Sequence, residues 1–112
     1  MSMVVELKDL SFLKSSKIAH RGIFDNKRIY ENTLSAFVRA IKYKYIIHID
    51  VHMLKDGTII CFHDEDMFRL LHVEGKIDTL SYEELSYIAK YKIPTLEETL
   101  EEIDGKVPVI IE

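Results

Sequence analysis

Two hydrophobic rhythms alternate along this chain. Short apolar runs of strand length lie at Lys17–Gly22, Tyr45–Val51, Thr58–His63 and Val107–Glu112, with helix-like spacing between several of them. Leu34, Phe37, Val38 and Ile41 fall at i, i+3, i+4 and i+7, which predicts a helix with one buried face. Asn32 stands before it in N-cap position, and Arg39, Lys42 and Lys44 suit its C-terminal half through the helix dipole. Ser81-Tyr82-Glu83-Glu84 has the form of a capping box and opens a second helix with Leu85 and Ile88 inward. Thr95 and Glu98 repeat that form ahead of a third helix. There Leu96, Leu100 and Ile103 form the expected buried face, and Gly105 supplies a left-handed stop. Glu65–Thr79 is mixed in polarity, with Gly75 as a turn. Residues 1–16 show no clear period and read as an N-terminal leader, in which Leu10, Phe12 and Leu13 could pack one turn of helix.

The order strand, helix, strand, strand, helices, strand predicts an α/β fold with about four largely parallel strands. One connection resists that scheme. Only Val51–Thr58 lies between the second and third runs, and a helical crossover needs about 10–12 residues or more. Asp56-Gly57 is a hairpin signal. Two arrangements fit. Thr58–His63 pairs antiparallel with the segment before it, or Val51–Lys55 runs down the outside and Thr58–His63 climbs back parallel. The second brings His63 to the end that holds His20 and Asp50.

The chain has 112 residues, enough for one small domain but far short of the roughly 250 of a complete β/α barrel. It ends on an apolar strand with no helix or cap after it, as expected of a domain truncated at its fourth strand. The formal charge of −4, with no basic stripe to offset it, argues against a nucleic-acid partner. A single cysteine, Cys61, precludes an internal disulfide framework. No run approaches the roughly 20 apolar residues of a membrane span, and no signal-peptide pattern opens the chain, so a cytoplasmic location is expected.

Polar residues capable of chemistry collect where the strand-like runs end. His20 and Arg21 follow Ile18-Ala19, His48 and Asp50 close the second run, His63 and Asp64 the third, and Glu112 the last. His48 and Asp50 are two apart and share a face, which is unfavourable on an apolar strand unless that face lines a wet or metal-filled site. Asp50 and Glu112 suit a hard cation such as Mg²⁺ or Ca²⁺. His20 and His63 suit an acid–base pair, and Arg21 a phosphate clamp. Together these describe phosphodiester cleavage. Each residue alone has a plainer reading: a lone strand-end histidine is usually structural, and Asp64 also fits a turn or cap.

Residues 17–112 resemble the N-terminal half of the glycerophosphodiester phosphodiesterase family. The blocks that carry the resemblance are His20-Arg21-Gly22, Glu31-Asn32-Thr33, Ala36-Phe37, Asp50-Val51, Lys55-Asp56-Gly57, His63-Asp64, Pro94–Glu98 and the apolar strand ending at Glu112. The resemblance implies the first half of a TIM (β/α) barrel with outer helices, and it favours His63 at the active-site end, on a barrel strand adjacent to that of Asp50. It implies metal-dependent hydrolysis of glycerophosphodiesters to glycerol 3-phosphate and an alcohol, in lipid and glycerol metabolism. His20 and His63 would be catalytic, Arg21 would bind the substrate phosphate, Asp50 and Glu112 would hold the metal, and Glu31, Asn32 and Asp64 would support them.

Three positions depart from the family pattern. His48 stands where the family has the Glu of Glu-x-Asp, which removes a charge and a hard oxygen and shifts the expected metal toward Mn²⁺ or a softer ion. Tyr30 stands where a Pro is usual. The later strands, and a Lys two positions beyond Glu112, are absent. These departures also fit a non-catalytic α/β fragment, a module binding a phosphate ester or partner chain, or one that self-associates through open sheet edges.

Overall fold

A computed structural model describes residues 17–112 and the backbone of residues 3–5. Its elements are β1 (Met3–Val5), β2 (Ile18–His20), α1 (Leu34–Lys42), β3 (Ile46–Ile49), β4 (Val51–Met53), β5 (Ile59–Cys61), α2 (Phe68–Leu71), α3 (Tyr82–Ile88), α4 (Leu96–Ile103) and β6 (Val109–Ile111). The expected leader therefore contains a strand, and Leu10, Phe12 and Leu13 lie outside the described residues.

Strand β3 is central in a four-stranded sheet of order β1-β6-β3-β2. It runs parallel to β2, with His20 opposite His48, and parallel to β6, with Ile49 opposite Ile111. Strand β1 lies antiparallel on the outer edge of β6. Side chains alternate across such a sheet. Ala19, Ile47, Ile49, Val109 and Ile111 bury one face against Phe37 and Ala40 of α1 and Ile103 of α4. His20 and His48 belong to the opposite face.

The short connection resolves by combining both arrangements. β4 and β5 form a separate antiparallel hairpin, with Val51 opposite Cys61 and Met53 opposite Ile59. The expectation that β3 and the third run are adjacent barrel strands is thus overturned: no ladder joins β3 to β5 among the described residues. The segment is too short to cross over, so it folds back on itself, with Gly57 at φ +87° in the turn. Yet the returning strand reaches the end of β3, where Phe62 N–H donates to the Asp50 carbonyl at 2.9 Å. His63 is delivered to the Asp50 end by a hairpin. Beneath it lies a second core of Leu54, Ile60, Phe62, Met67, Leu70, Leu71, Ile77, Leu85 and Ile93.

Both capping boxes form: Ser81 with Glu84 and Thr95 with Glu98. The cap of α1 is Thr33, not Asn32; its hydroxyl accepts from Ala36 N–H and Asn32 turns away at φ +54°. The buried stripe of α1 is also displaced from the expected one. Thr33, Ala36, Phe37 and Ala40 are buried while Val38 is 46% exposed. A small residue is required at position 36, where Gly22 packs closely: a Cβ at Gly22 would lie 2.7 Å from the Ala36 Cβ. Leu100 and Ile88, expected inward, lie on exposed helix faces. Glu65–Thr79 holds the short α2, the turn at Gly75 and a single 3-10 turn at Ile77–Thr79.

Candidate active site

Strand β2 ends at His20, and the chain then turns sharply. Arg21 takes φ +62°, a conformation an L-residue adopts only when its surroundings enforce it. Its N–H donates to the His48 carbonyl at 2.8 Å and its own carbonyl accepts from Asn32 N–H at 2.9 Å. Held at both ends, Arg21 brings its guanidinium beside the sheet end, where Nε lies 3.3 Å from Asp50 Oδ2 and NH1 donates to Glu31 Oε2 at 3.1 Å.

Glu31 is buried, and four groups surround its carboxylate. Besides Arg21, it accepts from Asn26 Nδ2 at 2.9 Å and from NH1 and NH2 of Arg69, both at 3.0 Å. Burial pushes its pKa up, but the hydrogen bonds from Arg69 and Asn26 and the charges of Arg69 and Arg21 outweigh it. The carboxyl is held below its usual range. Asn32 braces Asp50 twice, donating to Oδ2 and accepting from the backbone N–H, both at 3.2 Å.

The histidines are fixed by their acceptors. A carboxylate only accepts, so the 2.7 Å contact to Glu112 Oε2 is a donation from His48 Nε2–H, which in the neutral ring leaves the lone pair on Nδ1. That Nδ1 is buried, has no hydrogen-bond partner and lies 3.8 Å from Asp50 Oδ1. The same reasoning applies to His63: Nδ1 donates to Asp64 Oδ1 at 2.7 Å, which in the neutral ring leaves the lone pair on Nε2. Asp64 is in turn gripped by Nε and NH2 of Arg69 at 2.8 and 3.1 Å, which holds its pKa down to about 2. His52 Nε2–H donates to the His63 carbonyl at 2.7 Å. The rings of His20 and His48 lie 5.2 Å apart.

His20, Arg21, Phe24, His48, Asp50, His63 and Glu112 line one open depression at the strand ends. The structure thus brings together both candidate acid–base histidines, the candidate phosphate arginine and all three candidate metal ligands. Glu31, Asn32 and Asp64 stand behind them. His48, Asp50 and Glu112 offer ligand atoms within 4.8 Å of one another. With two carboxylates and an imidazole whose Nδ1 is unpartnered, this set fits a divalent cation.

Residues 20–112 match the glycerophosphoryl diester phosphodiesterase family. The chain belongs to this family. It is 36% identical over 105 residues to a glycerophosphodiester phosphodiesterase of Caldanaerobacter subterraneus, covering 84% of this chain and 42% of that protein. A glycerophosphodiester phosphodiesterase structure from Thermotoga maritima superposes with a TM-score of 0.72 at 34% identity, over 84% of this chain and 42% of the other. A phosphodiesterase of Oleispira antarctica, solved with sn-glycerol-3-phosphate, superposes at 0.64 and 28% identity, over 81% and 40%. The chain thus spans less than half the length of these phosphodiesterases, and its parallel strands β2, β3 and β6 form part of a β/α barrel.

Arg69, His52 and Asn26 were not singled out in the sequence. Arg69 lies in the stretch without a period, and its partner Glu31 is 38 residues away. No period or motif in the sequence points to that pairing.

Proposed function

We propose that this chain carries the phosphate-binding, metal-binding and acid–base groups of a glycerophosphodiester phosphodiesterase. The reaction would be hydrolysis of a glycerophosphodiester to glycerol 3-phosphate and an alcohol. One observation carries the reading: in a member of this family, His20, Arg21, His48, Asp50, His63 and Glu112 converge on one depression at the strand ends. Arg21 would hold an anionic phosphate oxygen, its fork oriented by Glu31 and Asp50. His63 would exchange a proton at Nε2, its Nδ1 being fixed by Asp64. His20, at the end of β2, would serve as the opposite member of the acid–base pair.

Asp50, Glu112 and His48 would hold the cation, which when bound neutralises charge on the phosphodiester. Mg²⁺ or Ca²⁺ suits the two carboxylates, and His48 extends the range toward Mn²⁺ or softer ions. The test is to supply the 112-residue chain with glycerophosphocholine and Mg²⁺, Ca²⁺ or Mn²⁺ and assay glycerol 3-phosphate. Turnover with at least one cation is expected. No turnover with any of them would remove the claim that this chain hydrolyses the diester by itself.

A second reading, a phosphate-ester or partner-binding module without turnover, is favoured by His48, an imidazole where the family pattern has a carboxylate. Binding of glycerol 3-phosphate without hydrolysis of the diester would select it.

A further inference from the structure

Arg69 donates through Nε and NH2 to both oxygens of Asp64, and through NH1 and NH2 to both oxygens of Glu31. A guanidinium has five N–H donors, so little remains to offer a substrate. Each carboxylate, however, reaches a group that faces the depression. Asp64 Oδ1 accepts from His63 Nδ1 at 2.7 Å. Glu31 Oε2 accepts from Arg21 NH1 at 3.1 Å. One side chain therefore stands behind both the acid–base histidine and the phosphate arginine.

We propose that Arg69 is a positioning residue for the hydrolysis. It locks Asp64 onto His63 Nδ1 so that Nε2 faces substrate with its lone pair, and through Glu31 it holds Arg21 in register with that histidine. This rests on the reading of His63 as an acid–base group. An aspartate gripped at one oxygen can rotate about its side-chain torsions and release the imidazole to its other tautomer. A fork gripping both oxygens removes that freedom. Lysine, a point charge without a planar fork of donors, cannot grip Asp64 and Glu31 in this way.

The readout is the tautomer of His63, seen in long-range ¹H–¹⁵N correlation spectra of the 112-residue chain. Spectra are recorded at a pH where the His63 ring's own ¹⁵N shifts show it to be neutral. Wild type is expected as the Nδ1–H form. Arg69→Met is expected to lose that preference, Arg69→Lys to lose part of it, and Arg69→Met to add nothing to Asp64→Ala. Where the chain turns over glycerophosphocholine, Arg69→Lys is expected to lower kcat by about 10- to 100-fold, as for other residues that orient a reacting group from behind.

An unchanged Nδ1–H form in folded Arg69→Lys and Arg69→Met would overturn the proposal. If Arg69→Met does not fold, the spectrum of Arg69→Lys decides. The tautomer needs no turnover, so failure of this role and failure of the hydrolase reading are separate results.

Discussion

Glu31 is 2% exposed and lies between the guanidinium groups of Arg21 and Arg69. Its pKa is below the usual 4.5, and that of Asp64 is near 2 against a usual 3.8. Groups with depressed native values contribute stability fully above their unfolded values and lose it as pH falls through the native ones. Urea midpoints should therefore decline as pH drops from about 4.5 toward 2, with a shallower slope in Glu31→Gln. At neutral pH, Glu31→Gln should itself cost about 3 kcal/mol, since it leaves two guanidinium groups short of a charge.

His48 calls for a different measurement. Replacing it with Glu restores the carboxylate of the family pattern beside Asp50 and Glu112. Mg²⁺ binding by calorimetry should tighten by about tenfold, equivalent to ~1.4 kcal/mol. Unchanged affinity would take position 48 out of the metal shell. Residues at the strand ends were legible because apolar runs terminate in them. Arg69 and His52 were not, because their roles come from tertiary contacts that leave no period in the sequence.

Among the elements, the β2–α1 turn is the most constrained. Gly22 sits at φ +82° with Ala36 where its Cβ would go, 2.7 Å from one side-chain carbon and 2.8 Å from the Ala36 backbone. Gly22→Ala meets both penalties and should destabilise by about 2 kcal/mol or more in chemical denaturation, with α1 displaced from β3. The capping boxes of α3 and α4 were readable because their hydrogen bonds span only three residues. The true stripe of α1 was not, since the close approach of Gly22 to Ala36 is a tertiary contact that leaves no period in the sequence. The hairpin was half readable. Asp56-Gly57 marked the turn, but the bond from Phe62 to Asp50 that brings His63 home depends on the completed end of β3.

At the scale of the molecule, the sheet has one edge covered by β1, while β2 forms the other edge, with no ladder beyond it among the described residues. An unpaired strand edge is a template for association. Sedimentation equilibrium of the 112-residue chain should show self-association at micromolar concentrations, whereas a folded monomer throughout would count against pairing. Fold class was legible from the alternation of strand and helix periods. The antiparallel placement of β1 was not, because residues 1–16 carry no clear alternation.

Cys61, the single cysteine, closes β5 and is buried against Thr99 with its thiol pushed up to about 12. Burial is the main cause, and a thiol in that state does not react with an alkylating reagent. It becomes reactive only when the β4–β5 hairpin lifts from α4. Because His63 follows two residues later on the same strand exit, that lifting also withdraws the candidate acid–base histidine from the depression. The labelling half-life of Cys61 in native buffer therefore counts how often the depression comes apart, and a cation that organises the site should lengthen it.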